Sequence, residues 1–283
     1  MAAALLAGAC GPGPEAPRAA GLRVISLAPS VSRVIAALGA TDVLVAVDRF
    51  SHRLPEFGDL PSVGGLFNPD LERTLELDPT LVIAVRSAQQ NAYLEQLRRR
   101  GVRVEAIEPY TLDEVLASFT EIGAWVDREA EAEQLVAESR QGLAEVRKGV
   151  AGRDEVGVVL VVEREPLYVA GGGSFVDELI TVAGGRNLFA ELEAPFPRVG
   201  MEALASRSPE LILDTLYDPE AGPEAPAQVV AHWRRFGWVR RVEPFPPGLA
   251  TLPGPDLVEG ARALAARLHP PEPASLPGAP EGV

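Results

Sequence analysis

The stretch Asn68-Pro-Asp-Leu-Glu-Arg-Thr-Leu-Glu-Leu-Asp-Pro-Thr-Leu-Val-Ile-Ala-Val85 decides the fold of this chain. It predicts a capped helix, a proline stop and a buried strand. Asn68 suits the N-cap position and Pro69 the first helical position, and Glu72 lies near the positive end of the helix dipole. Pro79 ends the helix, and the apolar run after it has the length and side-chain branching of a buried strand.

A second copy of this pattern lies 130 residues further along, in Val199-Gly-Met-Glu-Ala-Leu-Ala-Ser-Arg-Ser-Pro-Glu-Leu-Ile-Leu213. Glu202 takes the place of Glu72 there, and Pro209 takes the place of Pro79. Two copies at so long a period predict two lobes of similar construction rather than a solenoid. Each lobe then presents one glutamate near a helix start.

The composition is that of an acidic globular protein. Of the 283 residues, 47% are hydrophobic, which is enough for each lobe to bury a core, and the formal net charge is −14. This charge argues against a nucleic-acid binder, because such proteins need a basic surface. With a single cysteine, Cys10, the sequence has neither a disulfide framework nor a cysteine-based zinc site.

The N-terminus resembles a bacterial lipoprotein signal. Met-Ala-Ala-Ala-Leu-Leu-Ala-Gly-Ala precedes Cys10, and an apolar run, small residues and then a cysteine are typical of a lipidation site. No Lys or Arg precedes the run, although a secretory signal begins with a basic segment, so an incidental cysteine stays open as the alternative. Residues 1–21 are interpreted as a signal-like segment with a flexible tether, and residues 270–283 as a disordered tail.

Between these ends, strand-like and helix-like segments alternate. Residues 22–126 and residues 151–269 each predict a lobe with a mostly parallel sheet covered by helices. Residues 127–150 carry one apolar stripe and predict a single helix of about 35 Å that packs against both lobes. The predicted fold class is therefore α/β, with two Rossmann-like lobes bridged by one long backbone helix that permits little relative motion.

No group of residues predicts catalysis or a metal held by protein side chains alone. The run Gly171-Gly-Gly-Ser174 follows a strand and opens a helix, as phosphate sites do, but it lacks the dinucleotide spacing and a Walker lysine. His52, His232 and His269 are too scattered for a transition-metal site. A binding protein without a catalytic cofactor is the preferred interpretation, and a nucleotide or sugar-nucleotide enzyme with two Rossmann-like lobes is the alternative of another class.

Aromatic residues in loops of both lobes predict a ligand site. They are Phe50, Phe67, Tyr168 and Phe196. Loops at the carboxyl ends of parallel strands are where α/β folds bind ligands, and a large flat ligand between two lobes would contact such side chains. Local packing is the alternative for each of them, and for Trp233 and Trp238 it is the preferred interpretation.

Five motifs, in order along residues 22–268, carry a resemblance to a known family. They are Arg23-Val-Ile-Ser-Leu-Ala-Pro-Ser30, Asn68-Pro-Asp-Leu-Glu-Arg73, Leu77-Asp-Pro-Thr-Leu-Val-Ile-Ala84, Ala183-Gly-Gly-Arg-Asn187 and Ser208-Pro-Glu-Leu-Ile212. Together they resemble the BtuF-like periplasmic substrate-binding proteins of ABC importers for vitamin B12, haem and iron-siderophores, a class with a helical backbone between its lobes. The resemblance is greatest to the cobalamin-binding members.

This resemblance implies roles for individual residues. Glu72 and Glu202 are expected to dock on arginines of the two membrane-domain copies of an ABC importer, since a symmetric partner needs its contact presented twice. Phe50, Tyr168 and Phe196 fall where cobalamin binders place aromatic residues. The expected ligand-binding set is Phe50, Phe67, Arg86, Tyr168, Phe196 and Arg198.

The ligand itself stays open between several metal chelates. Leu66 and Val85 stand where cobalamin binders have tryptophans, and Arg49, Arg86 and Arg198 could instead meet haem propionates or the carboxylates of an iron-siderophore. Tyr168 could serve as an axial haem ligand rather than a stacking residue. The expectation is a periplasmic or cell-surface monomer, lipid-anchored at Cys10, that binds cobalamin or another metal chelate, binds no nucleic acid and touches the membrane through its anchor alone.

Overall fold

The structure is a computed structural model that describes residues 21–66, 68–216, 222 and 224–270. The N-terminal lobe contains the strands β1 (Val24–Ser26), β2 (Leu44–Val47), β3 (Leu81–Val85) and β4 (Arg103–Ile107), which pair in parallel in the order β2-β1-β3-β4. Its helices are α1 (Pro29–Ala37), α2 (Leu71–Glu76), α3 (Asn91–Arg99) and α4 (Leu112–Trp125). Helices thus follow the strands and cover both faces of the sheet.

The long helix α5 (Glu129–Val150) connects the lobes. It begins two residues later than the sequence predicts, because Asp127 adopts a left-handed φ of 55° and Arg128 takes the N-cap position. At ~1.5 Å per residue it is about 33 Å long. It packs against α4 on one side and against helices of the second lobe on the other.

The C-terminal lobe contains β5 (Val156–Arg164), β6 (Leu167–Val169), β7 (Gly185–Asn187), β8 (Leu211–Asp214) and β9 (Val242–Pro244). The strands run in the order β6-β5-β8-β9, with β7 also paired to β5, and β6 is the antiparallel member. Its helices are α6 (Phe175–Val182), α7 (Met201–Ser206), α8 (Ala225–Arg234), α9 (Pro247–Thr251) and α10 (Leu257–Leu268). The predicted fold class, two lobes with mostly parallel sheets and one bridging helix, is confirmed.

One hydrophobic core runs through both lobes. It joins residues of β1 and β3, such as Val24 and Ile83, to Leu143 of α5 and to Leu160 and Leu213 of the second sheet. Each sheet buries its other face in a smaller core of its own. Close packing of this kind resists deformation, so the continuous core makes the two lobes a stiff pair.

The two copies of the sequence repeat have nearly the same geometry. Helices α2 and α7 have six residues each. Two residues after each helix ends comes a residue with a left-handed φ, Asp78 at 46° and Ser208 at 49°. A buried proline follows in each copy, and the next strand enters the sheet.

The prediction that Asn68 caps the first of these helices is wrong. Asp70 is the N-cap, and its Oδ1 accepts a hydrogen bond from the Arg73 amide at 3.0 Å. The reason is that the Asp70 amide donates to the Val63 carbonyl at 2.7 Å, and Pro69 forms an antiparallel β-bridge with Gly64. The chain is therefore still extended at residue 69, and the helix starts at Leu71.

Candidate functional site

Two polar contacts join the N-terminal lobe to the C-terminal lobe. They connect helices α1 and α4 of one lobe with the starts of α6 and α10 of the other. The Leu112 amide at the start of α4 lies 3.4 Å from Glu178 Oε1 of α6, and Arg33 of α1 forms an ion pair with Asp256 at the start of α10. Ligands of open α/β folds bind at the carboxyl ends of the parallel strands, so the candidate site consists of the loops that follow β2, β3 and β4 and the segment that runs beside β6.

Burial within this junction raises the pKa of both carboxylates. For Glu178, burial is the largest cause, and the charges of Asp113 and Asp177 raise the pKa further, although the hydrogen bond from the Leu112 amide opposes them. For Asp256, burial again outweighs the lowering effect of Arg33. Protonation of these groups is therefore linked to how the lobes meet.

The loop after β2 presents Phe50, whose side chain is 42% exposed. Its backbone is fixed by the fully buried Asp48, whose Oδ1 accepts hydrogen bonds from the Phe50 amide at 2.7 Å and from the Ser51 amide at 3.2 Å. The Arg49 guanidinium lies over the Phe50 ring, 5.4 Å from its centroid. This aromatic side chain is thus held in solvent rather than packed locally.

The second lobe presents Phe196, 37% exposed, on the segment that follows β7. The Val169 amide donates to the Pro197 carbonyl, and the Val199 amide donates to the Leu167 carbonyl. Tyr168 and Arg198 form an antiparallel β-bridge through their backbones, so the segment pairs alongside β6. Tyr168 is half-buried, and Arg198 is exposed without an acidic partner among the described residues. Three residues of the expected set, Tyr168, Phe196 and Arg198, are therefore brought together.

The glycine run serves this packing and not a phosphate. A Cβ at Gly171 or Gly172 would overlap the carbonyl oxygens of Ala194 and Ala190, so only glycine admits the segment that carries Phe196. Those carbonyl oxygens repel an anion. The start of α6 is already capped by Ser174, whose Oγ accepts a hydrogen bond from the Asp177 amide.

Arg86 and Glu108 follow the paired ends of β3 and β4. Val85 is in register with Ile107, and the Arg86 amide donates to the Ile107 carbonyl at 2.8 Å. The Arg86 Nε lies 2.9 Å from Glu108 Oε2, and the Tyr110 hydroxyl donates to Glu108 Oε1 at 2.8 Å. Arg86 is therefore charge-paired rather than free for an anionic ligand.

Tyr110 is a candidate site residue that the sequence interpretation did not name. Among the described residues, the exposed large hydrophobic side chains are Phe50, Tyr110 and Phe196. Phe50 and Tyr110 each come three residues after a strand ends, and Phe196 lies beside β6. Tyr110 stands between a predicted strand and a predicted helix, so the rule that found the other two would have found it. Tyr110 therefore joins Phe50 and Phe196 as a candidate for contact with a ligand.

The tryptophans lie elsewhere, as local packing predicts. Trp233 is fully buried, and its Nε1 donates to Asp214 Oδ2 at 2.5 Å. Arg164 completes this network with two hydrogen bonds to the same carboxylate, at 2.8 and 2.9 Å, and a third to the Leu216 carbonyl. A buried aspartate held by charged and neutral donors fixes the turn after β8.

Both glutamates of the repeat are exposed in the first turn of their helices, Glu72 in α2 and Glu202 in α7. The side chain of neither glutamate has a hydrogen bond or ion pair to another described residue. Exposed carboxylates at these positions are stabilised by the helix dipole alone, so both remain available to a partner.

Two of the expected residues, Phe67 and Cys10, lie outside the described residues. Within the part of the chain that the structure describes, no cluster of three or more His, Cys, Asp or Glu side chains is suited to hold a metal ion. Nor does that part contain a helix with the length and apolar character needed to cross a membrane.

The family model described as periplasmic binding protein matches residues 24–218, more than half of the chain. The chain belongs to the periplasmic binding protein family. The vitamin B12-binding protein of Photorhabdus laumondii subsp. laumondii is 30% identical to this periplasmic binding protein over 195 residues, 69% of this chain and 71% of that one. The resemblance predicted from the motifs is thus confirmed.

Solved structures of similar fold extend the comparison. The periplasmic vitamin B12 binding protein BtuF of Vibrio cholerae superposes with a TM-score of 0.72 at 23% identity, over 87% of this chain and 96% of that one. A periplasmic heme binding protein from Pseudomonas aeruginosa gives a TM-score of 0.73 at 28% identity, over 88% and 92%. These relatives of the periplasmic binding protein are named for binding and not for catalysis, and the family fits an extracytoplasmic location.

Proposed function

We propose that this periplasmic binding protein captures a corrinoid between its lobes and delivers it to an ABC importer. The observation that carries the proposal is the position of the exposed aromatic side chains. Phe50 and Tyr110 each follow the last residue of a strand of the N-terminal lobe by three residues, and Phe196 is exposed on the segment that runs beside β6 of the other lobe. Aromatic rings held in solvent suit the face of a large, flat and largely apolar chelate.

The names of the relatives support the same ligand. The relative of 30% identity from Photorhabdus and one of 29% identity from Salmonella typhimurium, matched over 68% of this chain, are both vitamin B12-binding proteins. One charged residue of the expected set agrees with an uncharged ligand, because Arg86 is paired with Glu108. A ligand with several carboxylates would prefer unpaired cations.

Haem is a second candidate, and one observation favours it. The Tyr168 hydroxyl has no hydrogen-bond partner among the described residues, so it is free to approach an iron atom as tyrosinate ligands do. The exposed Arg198 lies beside it in the backbone bridge and would meet a propionate. Replacement of Tyr168 by phenylalanine would remove the haemin absorbance signature if this candidate is correct, and would leave corrinoid binding nearly unchanged.

Docking is assigned to Glu72 and Glu202. The assignment is supported by their equivalence under the repeat and by their lack of partners within the described chain. An importer with two equal membrane domains presents the same basic contact twice. Cys10 is assigned as the lipid anchor, and metabolic labelling with a fatty acid analogue, with and without Cys10→Ala, tests this.

Titration of the purified protein with cyanocobalamin, haemin and ferric siderophores tests the proposed ligand. We expect saturable one-to-one binding of cyanocobalamin, detected by calorimetry and by quenching of tryptophan fluorescence. Haemin and the siderophores should bind more weakly. If no corrinoid binds, the proposed function is wrong, and tight haemin binding would replace it with the second candidate.

A further inference from the structure

Arg86, Glu108 and Tyr110 form a chain of side-chain contacts at the carboxyl ends of β3 and β4. One carboxylate oxygen of Glu108 meets the Arg86 guanidinium at 2.9 Å, and the other accepts the Tyr110 hydroxyl proton at 2.8 Å. The hydrogen bond to Glu108 is the largest of the causes that raise the pKa of Tyr110. The phenol therefore stays protonated as a donor at neutral pH.

The ring of Tyr110 is fixed although it is 46% exposed. Its amide donates to Glu114 Oε2 at 2.8 Å, and the same oxygen accepts the Thr111 amide at 2.9 Å. Thr111 in turn caps α4 through its side chain. Backbone and hydroxyl are thus both held before any ligand arrives, so little conformational entropy remains to be lost when the ring is contacted.

Tyr110 is also at the junction of the lobes. The amide nitrogen of Leu112, two residues further along the chain, lies 3.4 Å from Glu178 Oε1 of the second lobe. Tyr110 therefore lies close to a contact between the two lobes, between which the proposed ligand would bind. A fixed, exposed aromatic ring beside a charge-neutral polar pair is a surface that contacts such a ligand by its face and by hydrogen bonds.

We infer that Tyr110 and Glu108 contact the bound ligand and select a macrocycle whose side arms end in amides over one whose side arms end in carboxylates. Glu108 has acceptor capacity beyond its two present bonds, since a carboxylate offers about four lone-pair sites. An amide N–H is a donor that fits this capacity. A carboxylate on the ligand would be repelled by Glu108 and could not pair with Arg86, whose charge Glu108 already neutralises. The inference rests on the proposed function, because it assumes a ligand in the cleft.

The test compares cyanocobalamin with a derivative in which one propionamide arm of the corrin ring has been hydrolysed to the acid. The wild-type protein should bind the amide form about 10-fold more tightly, as expected for one hydrogen bond to a charged acceptor. In Glu108→Gln this preference should disappear or reverse, because Arg86 loses its counter-ion. Tyr110→Ala should weaken both ligands by roughly 10-fold, as loss of an aromatic contact does. Tyr110→Phe, which keeps the ring, should weaken both far less.

Glu105→Gln is the matched control. Glu105 lies in β4, three residues before Glu108, and is also paired with an arginine, since its Oε1 lies 3.0 Å from Arg103 Nε. This pair lies within the strand and not at its carboxyl end. The control should leave the affinities of both ligands and their ratio unchanged, whereas a general effect of removing a carboxylate from this sheet would alter them.

The outcomes separate this inference from the proposed function. Suppose that the wild-type protein binds corrinoids, that Glu108→Gln keeps the preference for the amide form, and that Tyr110→Ala keeps the wild-type affinity. The inference is then wrong, and the proposed function stands. If the wild-type protein binds no corrinoid, or binds haemin with its two carboxylates more tightly, both are overturned. Thermal unfolding of each variant checks that the exposed positions have been changed without loss of the fold.

Discussion

Helices α2 and α7 occupy equivalent places in the two lobes but are held there by different interactions. In α2, the Asp70 side chain caps the helix, and Arg23 donates to the Leu77 and Asp78 carbonyls at 2.6 and 3.0 Å. In α7, Gly200 is the N-cap without a side-chain bond, and the fully buried Leu204 packs into the core of the second lobe.

The difference shows which features of the repeat have a common purpose. The glutamate occurs in the first turn of both helices, and in both copies a left-handed residue and a buried proline separate the helix from the next strand. The caps and the inward-facing residues differ, since Thr74 in α2 corresponds to Leu204 in α7. Each lobe therefore uses different side chains to hold its helix, while both helices expose a glutamate in the first turn.

The largest effect should come from reversing the shared charge. Glu72→Lys and Glu202→Lys together should reduce ligand uptake by about 100-fold or more, because like charges placed opposite each other cost several kcal/mol. Each single variant should have a smaller effect of similar size in the two lobes. Uptake by cells that express each variant as the sole copy of this protein measures the effect.

The control for this experiment is Glu76→Lys, which reverses an exposed charge at the other end of α2. It should support uptake close to the wild-type level, and calorimetry should show unchanged ligand affinity for all four variants. Normal uptake by the double variant would refute docking through the repeat. Unequal single effects would show that the importer does not treat the two lobes alike.

Truncation of the inward-facing residues of the two helices should lower the free energy of unfolding by different amounts. Leu204→Ala should destabilise the protein by ~3 kcal/mol, as expected for a large-to-small change in a core. Thr74→Ala should cost about 1–2 kcal/mol, because it leaves the buried Tyr93 hydroxyl, now 2.7 Å from Thr74 Oγ1, without its partner. Denaturant unfolding measures both values, and equal costs would contradict the assigned difference in how the helices are held.

The repeat was readable from sequence because it depends on local features. A proline after a helix followed by an apolar run predicts a helix end and then a buried strand in any context. The strands β3 and β8 follow Pro79 and Pro209 as predicted. The cap was not readable in the same way. Asn68 and Asp70 are both good cap residues, and the choice between them depends on pairing of the chain with Val63 and Gly64.

The site could be predicted where chain position alone decides exposure. Phe50 and Phe196 lie in loops rich in proline and glycine, and the structure leaves both exposed. Arg86 was expected to be available to a ligand, but its pairing with Glu108 depends on the register of β3 and β4. The fixed position of Tyr110 depends on Glu108 and Glu114, and no pattern of residue types signals such contacts.

The caps offer a smaller test of the same comparison. Asp70→Ala should destabilise the protein by ~1 kcal/mol, the usual cost of a lost helix cap. Gly200→Ser should stabilise it by ~0.5 kcal/mol, because Gly200 has an extended backbone with φ of −88° and an added Cβ meets no atom within 4 Å. Thermal unfolding measures both. A destabilising Gly200→Ser would show that α7 is not short of a cap.

The smallest effect concerns the point where the lobes meet, since Glu178 of one lobe accepts a hydrogen bond from α4 of the other. Its pKa is raised above the ordinary value of 4.5, first by burial. The folded state therefore holds this proton more tightly than the unfolded state. The stability that this group contributes is complete below about pH 4.5 and is lost as the pH rises through the folded-state pKa.

Glu178→Gln keeps an oxygen for the Leu112 amide and removes the charge that is disfavoured there. The variant should be more stable than the wild type at pH 7, by ~0.5 kcal/mol as for other partly exposed charges, and equally stable at pH 4. Urea unfolding at the two pH values measures this, with Glu133→Gln on the exposed face of α5 as the matched loss of a carboxylate. A gain of equal size at both pH values would mean that the amide packs better, not that a buried charge between the lobes has been relieved.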